Sequence, residues 1–428
     1  MLRVPIFMAR PQMTLAVPIR HPKRFDTLLL NKGAKIDEHA IEHLREIGIR
    51  DLWIEIPELG FLAGYVSPAM QASCVATASA LDNVFGVVRT EAIGKIDFFP
   101  VRRAVSDLLE SITSNPMAAL YISDLGMDDE ALQHAGNVCF LSLLMGLKLE
   151  GYLVHQRARL KTTIARDVTP LGMGALLHDI GMQKLSPPVV QRWRRDFDET
   201  DVEWQRHVAL GYEIVRGEIE PSAAAVVLHH HQKFDGTGFP GEIVPGRKPR
   251  SPAGSKIHIF PRIAAVADLF DRLRWQKAIR IPGEPRRPAM PIVRVIKELR
   301  SGVLSRAIDP VILKALVHVV PAYGPGTVVT LSNGIDGVVT DWSPDDPCRP
   351  QVESLGDLSR GWNSRPHAER FDLRLRRDLT VISAEGFDVS GDNFEIAYPG
   401  EFDLGLFFKS LTNAAVDVSP PTSGDKAA

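Results

Sequence analysis

Residues 229–240 read His-His-His-Gln-Lys-Phe-Asp-Gly-Thr-Gly-Phe-Pro, three adjacent histidines running into a glycine-rich turn. A second signal lies upstream, His178-Asp179-Ile180-Gly181. Imidazoles and carboxylates packed together are costly to bury unless something satisfies them, and divalent metal ions would do so. The same region offers further ligand types. Glu130 and His134 are four apart, so on a helix both point to one face. His207 stands alone on another apolar-periodic stretch. His230 and His231 immediately precede the glycine-rich turn, and Asp268 follows Arg262-Ile263-Ala264-Ala265-Val266-Ala267. Carboxylates mixed with imidazoles, without thiolates, suit iron or manganese better than zinc. Eight such ligands are too many for one ion, which points to two or three.

Helices must carry these groups. Helix-like apolar spacing runs over Ala131 to Gly151, Leu171 to Ile180, Val202 to Arg216, Ala223 to His231 and Ile257 to Trp275. Pro187-Pro188, the 234–254 loop and Ile281-Pro282-Gly283-Glu284-Pro285 interrupt it. Residues 1–110 read instead as a small mixed α/β module: a strand at Leu28-Leu29-Leu30, a helix from Ile36, and an alternating strand at Asp51 to Ile56. Its His39 and His43 share the i,i+4 spacing of the ligand pair but read better as an exposed helix face. After Pro321 the texture turns to β, with a hairpin around Ser332-Asn333-Gly334. The expected fold is therefore an α+β multidomain chain. An all-α helical domain at 111–320 is flanked by the module at 1–110 and a small β-rich domain at 321–385. Residues 386–428 stay unassigned, Phe394 to Phe408 unplaced among them, and are expected to end in a disordered tail from Val418 onward.

The 428 residues, with 45% hydrophobic and 24% charged, are too many for one core and ordinary for a globular chain. A formal net charge of −2 excludes a global field for a nucleic acid polymer. Three scattered cysteines, Cys74, Cys139 and Cys348, argue against a disulfide framework and for a reducing compartment. No stretch reads as the roughly 20 apolar residues of a membrane span. A cytoplasmic protein is the expectation.

The order of motifs resembles the HD-GYP family of metal-dependent phosphohydrolases over roughly residues 120–320: Glu-x-x-x-His, His-Asp-Ile-Gly, a lone His, His-His-x-x-x-Asp-Gly-x-Gly-x-Pro and Arg-Ile-x-x-x-x-Asp. The resemblance implies that Glu130, His134, His178, Asp179, His207, His230, His231 and Asp268 bind the metals, with Asp179 bridging two ions. It places His178 and Asp179 at the catalytic centre. It further implies a phosphodiesterase that linearises cyclic di-GMP to pGpG, with GMP as an open further product, through a metal-bridging hydroxide. A degenerate sensor or scaffold that binds without turnover, and a phosphohydrolase of another cyclic nucleotide, are the alternatives. A homodimer and signalling partner proteins stay open.

Three positions depart from the family pattern. Met182 stands where His-Asp-x-Gly-Lys would put a lysine; if Lys184 cannot reach substrate phosphate, about 1–3 kcal/mol of binding is lost. Gln232 replaces the glutamate of His-His-Glu, and Phe239 the tyrosine of Gly-Tyr-Pro, a GFP variant of the motif. Lys184, Lys277, Arg280 and Gly238 are the substrate-binding candidates. Asp235, Gly236 and Gly238 are expected to shape the turn, both glycines through positive φ. His229 is one residue out of register and is read as a packing residue.

Overall fold

The computed structural model describes residues 1–21, 27–49, 51–65, 67–90, 96–116, 129–241, 251–275, 289–355 and 369–409. The chain opens with strand β1 (Leu2–Pro5), the short ribbon β2 (Ile19–Arg20) and β3 (Leu28–Leu30), helix α1 (Glu38–Glu46), and strand β4 (Asp51–Ile54). β4 lies antiparallel to β1, with Leu2 opposite Ile54. Helices then dominate: α2 (Pro68–Arg89), α3 (Phe99–Ser114), α4 (Glu130–Lys148), α5 (Glu150–Gln156), α6 (Thr162–Ala165), α7 (Thr169–Leu176), α8 (Pro187–Asp196), α9 (Val202–Val215), α10 (Pro221–His229), α11 (Ile259–Trp275), α12 (Ile292–Leu299), α13 (Gly302–Ala307) and α14 (Pro310–Val319). A β domain closes the described chain: β5 (Val328–Leu331), β6 (Asp336–Asp341), β7 (Gln351–Ser354), β8 (Arg370–Asp372), β9 (Val381–Ala384) and β10 (Phe387–Asp388). These strands form one antiparallel sheet in the order β10-β9-β5-β6-β7-β8. The α+β multidomain architecture expected from the sequence is what the chain adopts.

Aspartates mark where several helices begin. Asp37, Asp129, Asp201 and Asp309 each precede a helix and accept from backbone N–H groups of its first turn, donors that have no partner inside the helix. α4 is buried along nearly its whole length, from Leu132 to Gly146, which makes it the axis on which α7, α11 and α14 pack. A buried triad locks the far end of this bundle: the Arg262 guanidinium donates to Asp309 (2.6 Å) and to the Tyr152 hydroxyl (3.1 Å). The arginine that opens the Arg-Ile motif thus ties α11 to α5 and α14.

Three boundaries differ from the sequence reading. α2 and α3 bury Met70, Leu81, Phe85, Val105 and Leu108 in the same core as α4 and α7, so the N-terminal module ends well before residue 110. The stretch read as one helix from Ala131 to Gly151 breaks at Leu149, where α5 turns away by 84°. The segment Phe394 to Phe408 joins the bundle: Phe402 and Leu404 are buried in its core and Glu401 pairs with Arg300 at 2.9 Å. Together with β10, which pairs with β9, it extends ordered structure past residue 385; 410–428 lie outside the described residues.

Among the described residues one helical run, Leu59–Arg89, is apolar and long enough by composition to cross a membrane, contrary to the sequence expectation. It consists of a 3-10 segment, Pro57–Tyr65, followed by α2. α2 buries Met70, Cys74, Ala78, Leu81, Val84, Phe85 and Val88, a stripe at helical spacing that faces the bundle.

Candidate metal centre

The centre forms where α7 ends. Its last turn gives way at Leu177 to a 3-10 turn, Ile180–Lys184, and His178 and Asp179 occupy the bend between them. Gly181 lets that bend lie against α9: a β-carbon there would sit 1.9 Å from the His207 carbonyl oxygen and 2.5 Å from the Gly211 nitrogen. The fourth residue of His-Asp-Ile-Gly is glycine because backbone meets backbone.

Seven of the eight ligand candidates fall into two groups, each with its donor atoms within 4.8 Å of one another: Asp179, His207, His230 and His231, and His134, His178 and Asp268. Asp179 stands between them. Its Oδ1 lies 3.3 Å from His207 Nε2 and 3.6 Å from His230 Nε2. Its Oδ2 lies 3.5 Å from His178 Nε2 and 3.9 Å from His134 Nε2. The nitrogens also crowd each other, His134 against His178 at 3.2 Å and His207 against His230 at 3.4 Å. Ligands bound to one ion at about 2.1 Å stand roughly 3.0–3.4 Å apart at tetrahedral or octahedral angles, so these spacings suit metal ions.

The opposite ring nitrogens are held in the way such ligands need. His178 Nδ1 faces the Ala175 carbonyl at 2.7 Å, His207 Nδ1 the Trp204 carbonyl at 2.7 Å, and His230 Nδ1 the Val227 carbonyl at 3.1 Å. His134 Nδ1 faces Asp271 Oδ2 at 2.7 Å, and Asp271 Oδ1 accepts from Asn137 Nδ2 at 2.7 Å. Each bond fixes the proton on Nδ1 and leaves Nε2 to the cluster. Asp271 is a supporting residue that the sequence reading missed; its i+3 spacing from Asp268 on α11 was the available signal.

Charge inside the cluster tells the same story. Burial would raise Asp179, yet His178, His230 and His207 hold its carboxyl well below the usual range. Burial pulls His207 down to about 4 and His231 well below an ordinary imidazole. Burial also disfavours charge on His134, but Asp268 and Asp271 outweigh it and lift the ring to about 10. Arg272 Nη2 sits 2.7 Å from Asp268 Oδ2, leaving Oδ1 3.2 Å from His134 Nε2. Carboxylates crowded on imidazoles form a buried acceptor set that divalent cations would neutralise.

An HD domain matches residues 132–273 of this chain. The cyclic di-GMP phosphodiesterase PA4108 of Pseudomonas aeruginosa is 25% identical over 337 residues, 72% of this chain and 74% of that protein. The cyclic di-GMP phosphodiesterase response regulator RpfG of Xanthomonas campestris is 33% identical over 111 residues, 25% of this chain and 27% of that protein. The 3′3′-cGAMP-specific phosphodiesterase 3 of Vibrio cholerae is 33% identical over 151 residues, 34% of this chain and 28% of that protein. The HD domain match and these relatives support the resemblance of the central region to the HD-GYP family.

A cavity of about 490 Å³ opens onto the two ligand groups, lined by His134, Asp179, His231 and Asp268. Glu130, at the first turn of α4, lines it without joining either group. Met182, Gln183 and Leu185 line it too, whereas Lys184 is exposed and is absent from its wall. The phosphate role expected for Lys184 therefore finds no support in its placement. Lys277 and Arg280 lie outside the described residues.

Gly238 is likewise absent from the cavity wall. A β-carbon there would meet the His231 carbonyl oxygen at 2.2 Å and the Lys233 nitrogen at 2.4 Å, so the missing side chain lets the loop pack closely. Of the two glycines expected at positive φ, Gly236 has it, at +81°, and Gly238 does not. Asp235 caps the turn, accepting from the Thr237 N–H at 2.9 Å. Phe239, before a cis proline, stacks on His231 with centroids 4.6 Å apart. Gln232 is buried and donates to the Pro240 carbonyl at 2.6 Å, a bond a glutamate carboxylate could not make. His229 lies outside both ligand groups, and His39 and His43 are exposed on α1.

Proposed function

We propose that this chain is a metal-dependent phosphodiesterase that opens cyclic di-GMP to pGpG, with GMP as an open further product. The observation that carries the reading is Asp179 standing between two histidine-rich donor groups at the floor of a cavity large enough for a nucleotide ligand. The relatives' names agree with it. Two or three divalent ions, iron or manganese by the chemistry of the donor set, would supply Lewis acidity and a nucleophile available at neutral pH.

The remaining work falls to the chain. His134, His178, Asp179, His207, His230, His231 and Asp268 would hold the ions, and Glu130 would complete the set at the mouth. Asp179 would serve both groups through separate oxygens. Carbonyl-bound Nδ1 protons on His178, His207 and His230 keep their rings from turning. The cavity has room for one phosphodiester of the substrate beside these groups; hydrolysis forms a bond from water oxygen to phosphorus and breaks the bond to the ribose 3′-oxygen, which leaves as a hydroxyl.

The test is turnover. Protein purified anaerobically with iron or manganese should convert cyclic di-GMP to pGpG or GMP on chromatography; metal fully bound without product would overturn the reading. A mixed cyclic dinucleotide is the second candidate, because two Vibrio cholerae relatives at 33% and 29% identity are named as 3′3′-cGAMP-specific phosphodiesterases. Competition between the two dinucleotides in one assay separates them.

A further inference from the structure

We propose that the cavity holds a second, cationic subsite, built by Arg89 of α2 and Arg194 of α8 with the buried donors Gln133 and Trp204, and that it grips the second phosphate of a cyclic dinucleotide. The inference rests on the proposed function and adds what no motif position supplies. The family's phosphate lysine is Met182 here, and the nearby Lys184 is not in the wall. The cations that do line the cavity are Arg89, Arg194 and Arg272. Arg272 is already committed, to Asp268 at 2.7 Å and Glu199 at 2.8 Å. The other two are not.

Arg89 is pinned but only at one nitrogen. Its Nε donates to Gln183 Oε1 at 2.6 Å and its guanidinium lies over the Phe85 ring. Among the described residues its terminal nitrogens meet no acceptor, so a fork suited to two phosphate oxygens is presented by a held side chain. On α8, Arg192 pairs with Asp201 and Glu203, and Arg195 with Asp196. Arg194, between them in sequence, has no acidic partner among the described residues and lines the cavity.

Two buried donors point the same way. Gln133 Nε2 and Trp204 Nε1 have no acceptor among the described residues, although their side chains are 4% and 2% exposed. Both line this cavity. A buried donor without a partner is costly, and a ligand rich in acceptors would relieve that cost. Two arginines without an acidic partner and two donors without an acceptor among the described residues, beside metal groups able to take one phosphate, suit a second anionic group on the same ligand. Arg89 lies on α2, outside the matched residues 132–273, so this grip comes from a helix beyond the HD domain.

The experiment compares two substrates on the metal-loaded full chain. Bis(4-nitrophenyl) phosphate carries one phosphodiester and reads the metal centre; cyclic di-GMP and 3′3′-cGAMP carry two phosphates. In Arg89→Gln and Arg194→Gln the KM for the cyclic dinucleotide should rise about tenfold or more, as expected for loss of a charge-assisted hydrogen bond. kcat should change less, and the loss on the dinucleotide should exceed the loss on the small diester at least tenfold. Trp204→Phe, which keeps an aromatic six-membered ring and removes the N–H, should shift KM in the same direction. An unchanged dinucleotide KM in both arginine variants overturns the subsite while leaving the proposed function standing. A wild-type protein that hydrolyses the small diester and neither binds nor cleaves any cyclic dinucleotide overturns both.

Discussion

At the scale of single residues, the centre depends on what lies behind its ligands. Asp271 binds the rear nitrogen of His134 at 2.7 Å and is itself held by Asn137. Asp271→Asn should therefore lower metal affinity about 10–100-fold, the usual effect of removing such a partner, while the fold persists; metal titration with circular dichroism as the control checks this, and an unchanged affinity would refute it. The same residue sets a pH dependence. His134 is lifted to about 10 in the metal-free protein despite its burial, because Asp268 and Asp271 favour its charged form. A raised histidine pKa stabilises the metal-free fold fully below its unfolded value of about 6.5, and that contribution is lost as pH rises through about 10. An ion must displace the His134 proton, so metal affinity should climb with pH over the same interval, more shallowly in Asp271→Asn. His207 works in the opposite sense: burial lowers it to about 4, so its stabilising share is present above about 6.5 and fades as pH falls toward 4. The ligand types were legible in the sequence because adjacent histidines and aspartates are rare and fall at fixed spacings. Asp271 offered only its i+3 spacing from Asp268, and Arg272 and Trp204 offered less, since a supporting role is defined by what a side chain meets in space.

At the scale of elements, the site rests on a close approach between the 3-10 turn after Asp179 and helix α9. Gly181 is the contact, with the His207 carbonyl oxygen and the Gly211 nitrogen where a β-carbon would stand. Gly181→Ala must push two backbones apart. Overpacking of this kind costs about 1–3 kcal/mol and sometimes more, and here the displacement falls between two ligands, Asp179 and His207. The variant should melt several degrees lower and lose metal out of proportion to that fall. Gly60→Ala, where nothing lies within 4 Å of the added carbon, is the control. Equal metal content in Gly181→Ala and wild type would show that the approach is not what sets ligand spacing. Helix existence was readable from apolar periodicity, and α9, α10 and α11 begin and end within a few residues of the expected bounds. The break at Leu149 was not readable, because apolar residues continue through it and only packing decides the turn. Lys184 misled for a related reason: the 3-10 turn rotates successive side chains differently from an α-helix, so Met182 and Gln183 line the cavity while Lys184 does not.

For the whole molecule, the N-terminal module and the β domain form one unit. β1 reaches β5 through Arg3, whose N–H donates to the Gly326 carbonyl at 3.0 Å and which bridges to Thr327. Val328, Val338 and Leu355 of the β domain share a buried cluster with Leu2, Val4, Leu15 and Ile54 of the N-terminal module. The expected pair of separate flanking modules is thus joined by contacts between residues more than 300 apart, which no local pattern announces. The Arg3 guanidinium is the charged link: it pairs with Glu385 and lies 3.8 Å from Asp51, with its side chain 9% exposed. Removing one partner of a buried pair leaves the other charge uncompensated and costs about 3–5 kcal/mol. Arg3→Ala should therefore shift the urea midpoint of the N-terminal and β modules together, read at Trp53 in one and at Trp342 in the other. The double variant Arg3→Ala, Glu385→Ala should recover part of the loss, since it also removes the stranded carboxylate. Two separated transitions, or a loss below about 0.5 kcal/mol, would mean that the modules fold independently and that the ion pair is incidental. A single shared transition would make the metal-binding helical bundle sensitive to events at a distant interface, because Pro291, Val320 and Tyr323 of the bundle line the same small cavity as Arg3 and Glu385.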